Sequence, residues 1–272
     1  MFYYASSWIN LIVKIFSKSF TKYFTKLLQI TPQSPNKNDK AQKMNTQATP
    51  YIPSVEAWKN LQKDIIEICQ NMNRPLEEVQ LIAVSKTVSA DHIFPLLQAG
   101  QSVFAENRVQ EAAEKWPRLR QQFKFIELHL IGPLQSNKTA EAVKIFDVIQ
   151  TVDREKIAKS LSIEMQKQKR SLPCYVQVNI GLELQKSGIP PQEVIPFVAQ
   201  CKNHYGLDII GLMAIPPVKE NPGPYFALLA KLAKKAGLQK LSMGMSNDFK
   251  IALQFGSNTL RIGSALFGKR SM

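Results

Sequence analysis

The feature that most narrows what this chain can fold into is an alternation. Eight short apolar runs, Leu81–Val84, Ser102–Ala105, Phe125–Ile131, Val148–Val152, Cys174–Ile180, Ile209–Ile215, Lys240–Met245 and Thr259–Ile262, are separated by stretches of helical periodicity such as Asp153–Lys169, Gln192–Cys201 and Tyr225–Ala236. Strands that alternate with helices run parallel with right-handed crossovers. Eight such units in roughly 200 residues predict a single (β/α)8 barrel, an α/β fold. A doubly wound open sheet is the rival, but no GxGxxG follows any of the runs. Ahead of the first run, Trp58, Leu61, Ile65, Ile66, Cys69 and Met72 recur every three or four residues. Val55–Asn71 therefore reads as an amphipathic helix that would cover the bottom of the barrel.

Composition excludes several classes. The 272 residues are 44% hydrophobic and 21% charged, which rules out disorder as the whole description. Cys69, Cys174 and Cys201 lie far apart with no CxxC pair, and only three histidines are present. Neither a disulfide framework nor a Cys/His zinc site is expected, and a reducing, cytoplasmic setting is. The net charge of +14 is unevenly spread: residues 1–43 carry seven Lys and one Asp, and the rest carry 28 basic and 20 acidic groups. In the larger part the basic residues are mixed with Glu and Asp at helical spacing, a solvated face rather than a surface for specific nucleic-acid binding.

The amino-terminal part, residues 1–50, reads as a separate extension and linker, with the barrel occupying 51–272. Aromatic residues there alternate with Ser and Lys, and Lys14, Lys18, Lys22 and Lys26 recur every fourth residue. Trp8 to Phe16 is interrupted by Asn10 and Lys14, too short and polar to span a bilayer. Three readings stay open: an organelle-targeting segment, a peripheral anchor, or a start at Met44 that leaves 1–43 out of the working protein. The absence of Arg counts against a mitochondrial presequence.

Active groups of a (β/α)8 barrel sit at the carboxyl ends of its strands, and the unusual residues of this sequence fall there. Lys86 follows the first run, Glu106 and Asn107 close the second, and Gly132 follows the third. Asn179 is in the fifth, Met213 in the sixth, Ser246 after the seventh, and Arg261 to Ser264 close the eighth. A lysine inside the barrel mouth would be desolvated, which frees its neutral amine as a Schiff-base nucleophile. The plain alternative is a lysine that snorkels to solvent. The segments SMGMSND and RIGSALFG each lead from small and hydroxyl residues into a helix, in the loops where this fold binds phosphate. Ordinary turn and cap roles are the alternative. Arg261, always cationic, needs an acceptor if buried. His129 reads as a packed structural residue, and Lys138 and Lys186 as either anion-attracting or exposed loop lysines.

Taken in order, AVSKT, AENRVQE, HLIGPLQSNK, VNIGLELQKSGI, GLMAIPP, LSMGMSNDF and RIGSALFG resemble the YggS/PROSC family of pyridoxal phosphate homeostasis proteins, from about Val55 to Arg270. The resemblance implies a single barrel of the alanine racemase N-terminal-domain type (fold type III). It implies pyridoxal 5′-phosphate held as a Schiff base on Lys86, with Asn107 in the site. It also implies that Ser246, Gly263 and Ser264 form the phosphate cradle and that Arg261 faces the pyridine nitrogen. An arginine there leaves the ring nitrogen unprotonated and disfavours strong carbanion chemistry. Ala105 and Arg108 stand where the family commonly has Gly and Tyr, and Ser264 where Thr is usual. The serine keeps the hydroxyl, whereas Arg108 removes any stacking from that position and adds a cation.

The expected function is therefore buffering or delivery of the cofactor without robust turnover, with cofactor-dependent apoenzymes as recipients and a monomer as the working form. Racemases with this barrel need a second, carboxyl-terminal β domain to supply an opposing tyrosine, and this chain ends at Met272. An amino-acid racemase-like enzyme using Lys86 is the alternative. A third reading is a Schiff-base enzyme on a phosphorylated metabolite without the cofactor.

Overall fold

A computed structural model describes residues 55–268; the readings of residues 1–50 lie outside the described residues. Eight parallel strands close a barrel in the order β1 to β8. These are β1 (Gln80–Val84), β2 (Val103–Glu106), β3 (Glu127–Leu130), β4 (Val148–Val152), β5 (Cys174–Val178), β6 (Ile209–Ala214), β7 (Lys240–Ser242) and β8 (Thr259–Ile262). Closure is made by β1 on β8, with Leu81 opposite Leu260 and Ala83 opposite Ile262. All eight expected strands are present. The expected ends overran chiefly at the mouth: the seventh run stops at Ser242 because Gly244 takes φ +94, a left-handed turn.

The helices are α1 (Val55–Asn71), α2 (Ala90–Gln98), α3 (Val109–Gln122), α4 (Thr139–Ile145), α5 (Glu155–Gln168), α6 (Val194–Asn203), α7 (Gly223–Lys235), α8 (Phe249–Gln254) and α9 (Ser264–Phe267). Each buries the stripe its spacing dictates. In α3 Val109, Ala112, Trp116 and Leu119 recur every three or four residues and turn inward. The main core lies between sheet and helices, where Trp116 stacks obliquely on Phe104 at 5.0 Å between ring centroids. Each fully buried side chain of this size contributes about 1.5–3 kcal/mol.

The expectation that α1 covers the bottom of the barrel holds only in part. Its partners are α2, α8 and α9, the helices on either side of the seam between β8 and β1, where the last unit supplies a helix of only four residues. Its link to the amino-terminal ends of the strands is Trp58, whose indole N–H donates to Gln101 Oε1 at 2.8 Å. Gln101 in turn donates to the carbonyls of Leu81 and Val103. The barrel interior holds two small apolar groups, Ile82, Val84 and Ala105 on one side and Val148, Tyr175 and Met213 on the other. Val103 and Ile131 pack on the first group and Ile210 and Ile215 on the second, and a row of polar side chains, Arg261, Ser242, Gln150 and His129, is buried with them.

Candidate functional site

Strand alternation decides what reaches the mouth. In β1, Ile82 and Val84 face the interior, so Lys86, two residues on, continues the inward series while Ser85 points outward. The same parity brings Asn107 inward after Ala105, and Gly263 inward after Arg261. Lys86, Asn107, Ser246, Arg261, Gly263 and Ser264 all line one cavity of about 980 Å3 at the carboxyl ends of the strands. The six residues expected to act together are thus brought to one place. No Asp or Glu is among the described residues lining that cavity, whereas Lys86, His92 and Arg261 are. A cavity so lined favours an anionic occupant.

The turn carrying Lys86 is fixed from behind the barrel wall. Glu106, fully buried, was expected at the mouth beside Asn107, but it ends β2 facing the helices because its parity is opposite. Its Oε1 accepts from Ser85 Oγ at 2.8 Å, Lys115 Nζ at 2.9 Å and Trp116 Nε1 at 3.1 Å. Its Oε2 has no hydrogen-bond partner, and burial pushes the carboxyl above the usual carboxylate range despite the neighbouring Lys115. Lys115 also donates to the Ser85 carbonyl at 2.9 Å and to Glu111 at 2.8 Å. Glu111 accepts the amide N–H of Thr87, which sits at φ +64, an uncommon conformation for a β-branched residue. Ser85 is thus held by Glu106 and Lys115 and Thr87 by Glu111, and Lys115 joins the two carboxylates into one network around Lys86. Nothing local in the sequence marks Lys115, whose spacing from Glu111 is that of any solvated helix pair.

Arg261 is 3% exposed. Its guanidinium donates to Ser242 Oγ at 2.7 Å and to the Ala214 carbonyl at 2.9 Å, both neutral acceptors. Burial lowers its pKa to about 10, which leaves it cationic at neutral pH. From Ser242 the hydrogen bonds continue across the interior: Ser242 Oγ to Gln150 Oε1 at 2.6 Å, Gln150 Nε2 to His129 Nδ1 at 2.8 Å, and His129 Nε2 to Glu127 Oε1 at 2.6 Å. His129 is the packed residue its sequence context suggested, 1% exposed.

Beside the main cavity lies a smaller one of about 260 Å3 that shares Asn107, Ile131 and Ile215 with it. Gly132 lines it, and a Cβ there would meet the Asn107 carbonyl oxygen at 2.1 Å, so only glycine permits this approach of the two loops. Lys186 donates to the carbonyls of Ile215 and Pro216 and pairs with Glu183, which binds the two loops together. Lys138 pairs with Glu141 at 3.6 Å. Arg108 is not among the residues that line either cavity, although its neighbour Asn107 lines both. The thiols of Cys69, Cys174 and Cys201 are all buried, and burial pushes Cys201 up to about 12. Among the described residues no group of three or more His, Cys, Asp or Glu could hold a metal ion. No helix there is long and apolar enough to cross a membrane.

Comparison with known proteins gives a consistent result. The profile described as "Alanine racemase, N-terminal domain" matches residues 59–271. A protein of Pasteurella multocida named "Pyridoxal phosphate homeostasis protein" is 40% identical over 220 residues, 77% of this chain and 94% of the relative. The structure of PipY from Synechococcus elongatus with PLP bound is 33% identical, with a TM-score of 0.65, covering 75% of this chain and 100% of PipY. An alanine racemase of Clostridium difficile superposes with a TM-score of 0.59 at 14% identity, covering 78% of this chain and 57% of the racemase; at that identity it speaks for the fold alone.

Proposed function

This chain belongs to the alanine racemase N-terminal-domain family and, within it, to the pyridoxal phosphate homeostasis proteins; from that premise we propose that it holds pyridoxal 5′-phosphate on Lys86 and keeps it available to other proteins. The observation that carries the reading is the single cavity in which an amine, a buried guanidinium and two hydroxyl-bearing loops converge with no described carboxylate among them. That donor set fits the group, since a phosphorylated aldehyde needs an amine at one end and N–H or O–H donors at the other. When bound, the cofactor brings an aldehyde with which an amine condenses as water leaves.

This chain's own residues divide the work. Lys86 supplies the amine at the end of a turn that Glu106, Glu111 and Lys115 hold still. Ser246 and Ser264 offer hydroxyls, and Gly263 brings the backbone close, at the loops after β7 and β8. The Ala265 amide donates to Ser246 Oγ at 3.1 Å, so the two loops are already joined there. Arg261 puts a cation on the cavity wall, and a pyridine nitrogen bound beside it would be left without a proton. Among the described lining residues Lys86, His92 and Arg261 are the only side chains of ionisable type, and Ser89 Oγ lies 2.7 Å from His92 Nδ1. That scarcity of acid/base groups supports storage and transfer over robust turnover. The same reading takes cofactor-dependent apoenzymes as recipients, a monomer as the working form and the cytoplasm as its place.

The test is a visible absorbance spectrum of the purified protein with added pyridoxal phosphate, before and after borohydride, beside Lys86→Ala. The expected result is a visible band that borohydride bleaches as it reduces the C=N bond and fixes the cofactor to Lys86 as a secondary amine, and that the variant lacks. A protein that gains no band overturns the reading and returns the site to a phosphate-binding barrel that works without the cofactor.

A further inference from the structure

The interior row of hydrogen bonds has a single direction, and the chemistry of its two ends imposes it. Arginine carries only donors and a carboxylate only acceptors. Arg261 must therefore donate to Ser242 Oγ, whose one proton is left for Gln150 Oε1. That turns the Gln150 amide nitrogen toward His129 Nδ1, which has to accept, so the ring proton is on Nε2 and is taken by Glu127. Every donor points away from the cation and toward the anion. The row also joins four strands: β8, β7, β4 and β3, with Ser242 and Gln150 meeting across the interior at 2.6 Å. Arg261, Ser242, Gln150 and His129 are each 3% exposed or less, so no solvent route competes with these bonds.

We infer that Ser242, Gln150, His129 and Glu127 are positioning residues for Arg261, setting through their hydrogen bonds which way its guanidinium faces. Asp248 is the carboxylate whose charge favours the guanidinium's cationic form. The inference rests on the cofactor reading above, since Arg261 matters here as the group beside the cofactor ring. A buried cation with no contacting anion is costly unless its hydrogen bonds are satisfied. The polarised row satisfies them and ends on a real carboxylate. It does so without putting a carboxylate beside the cavity, where a negative group would repel a phosphorylated ligand. Gln80 Nε2 donates to the same Glu127 oxygen at 3.0 Å and steadies that end. Glu127 is held below the usual carboxylate range chiefly by the hydrogen bond from His129, so it is ionised at neutral pH.

The experiment compares wild type with Ser242→Ala, Gln150→Leu, Ser242→Thr and Glu127→Gln. It reads the dissociation constant for pyridoxal phosphate by equilibrium dialysis and the position of the visible band, with thermal melts to confirm folding. Ser242→Ala and Gln150→Leu should weaken binding by about tenfold, the size of one lost charge-assisted hydrogen bond, and move the band. Ser242→Thr keeps the hydroxyl and should retain both within about twofold. Glu127→Gln keeps an acceptor but loses the charge, and because Glu127 lies at the half-exposed end of the row this variant will fold; it should shift the band even if its affinity changes little. If the two disrupting variants fold and keep the wild-type constant and spectrum, or if Glu127→Gln leaves the band unmoved, the positioning role is wrong and the cofactor reading stands. A wild-type protein with no cofactor-dependent band overturns both.

Discussion

Behind the barrel wall Glu106 and Lys115 meet as opposite charges at 2.9 Å, whereas inside the barrel Glu127 and Arg261 are kept apart by three intervening side chains. Both networks are buried over most of their length and both end at the cofactor-binding candidates. The outer one fastens the backbone on either side of Lys86; the inner one fixes the side chain of Arg261. The contrast follows from what each must leave undisturbed. Outside, a lysine can sit directly on the carboxylate because the cavity is on the other face of the strand. Inside, a carboxylate in contact with Arg261 would stand at the cavity wall, and the acceptors the guanidinium meets there are the neutral Ser242 hydroxyl and Ala214 carbonyl.

The largest effect that would separate the two networks is expected from Lys115→Met. Removing one partner of a buried pair strands the other charge and costs about 3–5 kcal/mol, or on the order of 10 °C in melting temperature for a domain of this size. Urea unfolding measures it, and Glu106→Gln combined with Lys115→Met should recover a good part of the loss, because the stranded charge is then gone. If the single and double variants are equally unstable, the outer pair is packing rather than electrostatics. On the inner side Ser242→Ala should cost less, about 1.5–3 kcal/mol for a hydrogen bond to a charged group. If it costs as much as Lys115→Met, the division between a structural outer network and an orienting inner one fails.

The smallest effect is the most specific, because the two carboxylates are shifted in opposite directions. Glu127 is lowered from 4.5, chiefly by the hydrogen bond from His129, so its contribution is complete above that value and is lost as pH falls through its folded pKa. Its side chain is 42% exposed, so solvent screening keeps this contribution small. Glu106 is raised from 4.5, chiefly by burial, so the folded state holds its proton longer and stability declines as pH rises from 4.5 through the raised pKa. Glu127→Gln should flatten the acid limb of a stability–pH curve, and Glu106→Gln the part just above it. Identical curves for the two variants would mean the carboxylates are not in the different settings described.

The fold and the cofactor candidates could be read from the chain because both depend on short-range pattern. Strands such as Val148–Val152 and Thr259–Ile262 are delimited by their own residues, and strand parity carries Lys86, Asn107 and Gly263 to one mouth. What escaped the sequence depends on register across the barrel. Nothing local marks Gln150 in IQTV or Ser242 in LSM as partners, since 92 residues separate them and only closure of the sheet brings them together. The outward turn of Glu106 escapes a sequence reading for a related reason: position at a strand end says nothing about face until the parity of its neighbours is known.

Trp116 has a consequence of an optical kind. Its indole is fully buried, donates to Glu106, and through Glu106 and Ser85 is two hydrogen bonds and one peptide link from Lys86. Indole emission overlaps the absorption of pyridine aldehydes condensed with amines, so excitation of Trp116 should pass to a chromophore seated on Lys86 and its emission should dim as the site fills. With Trp8 and Trp58 also emitting, loaded protein would be dimmer than apoprotein rather than dark, and departure of the cofactor to a recipient could be followed in real time by the recovery of light, with no label attached.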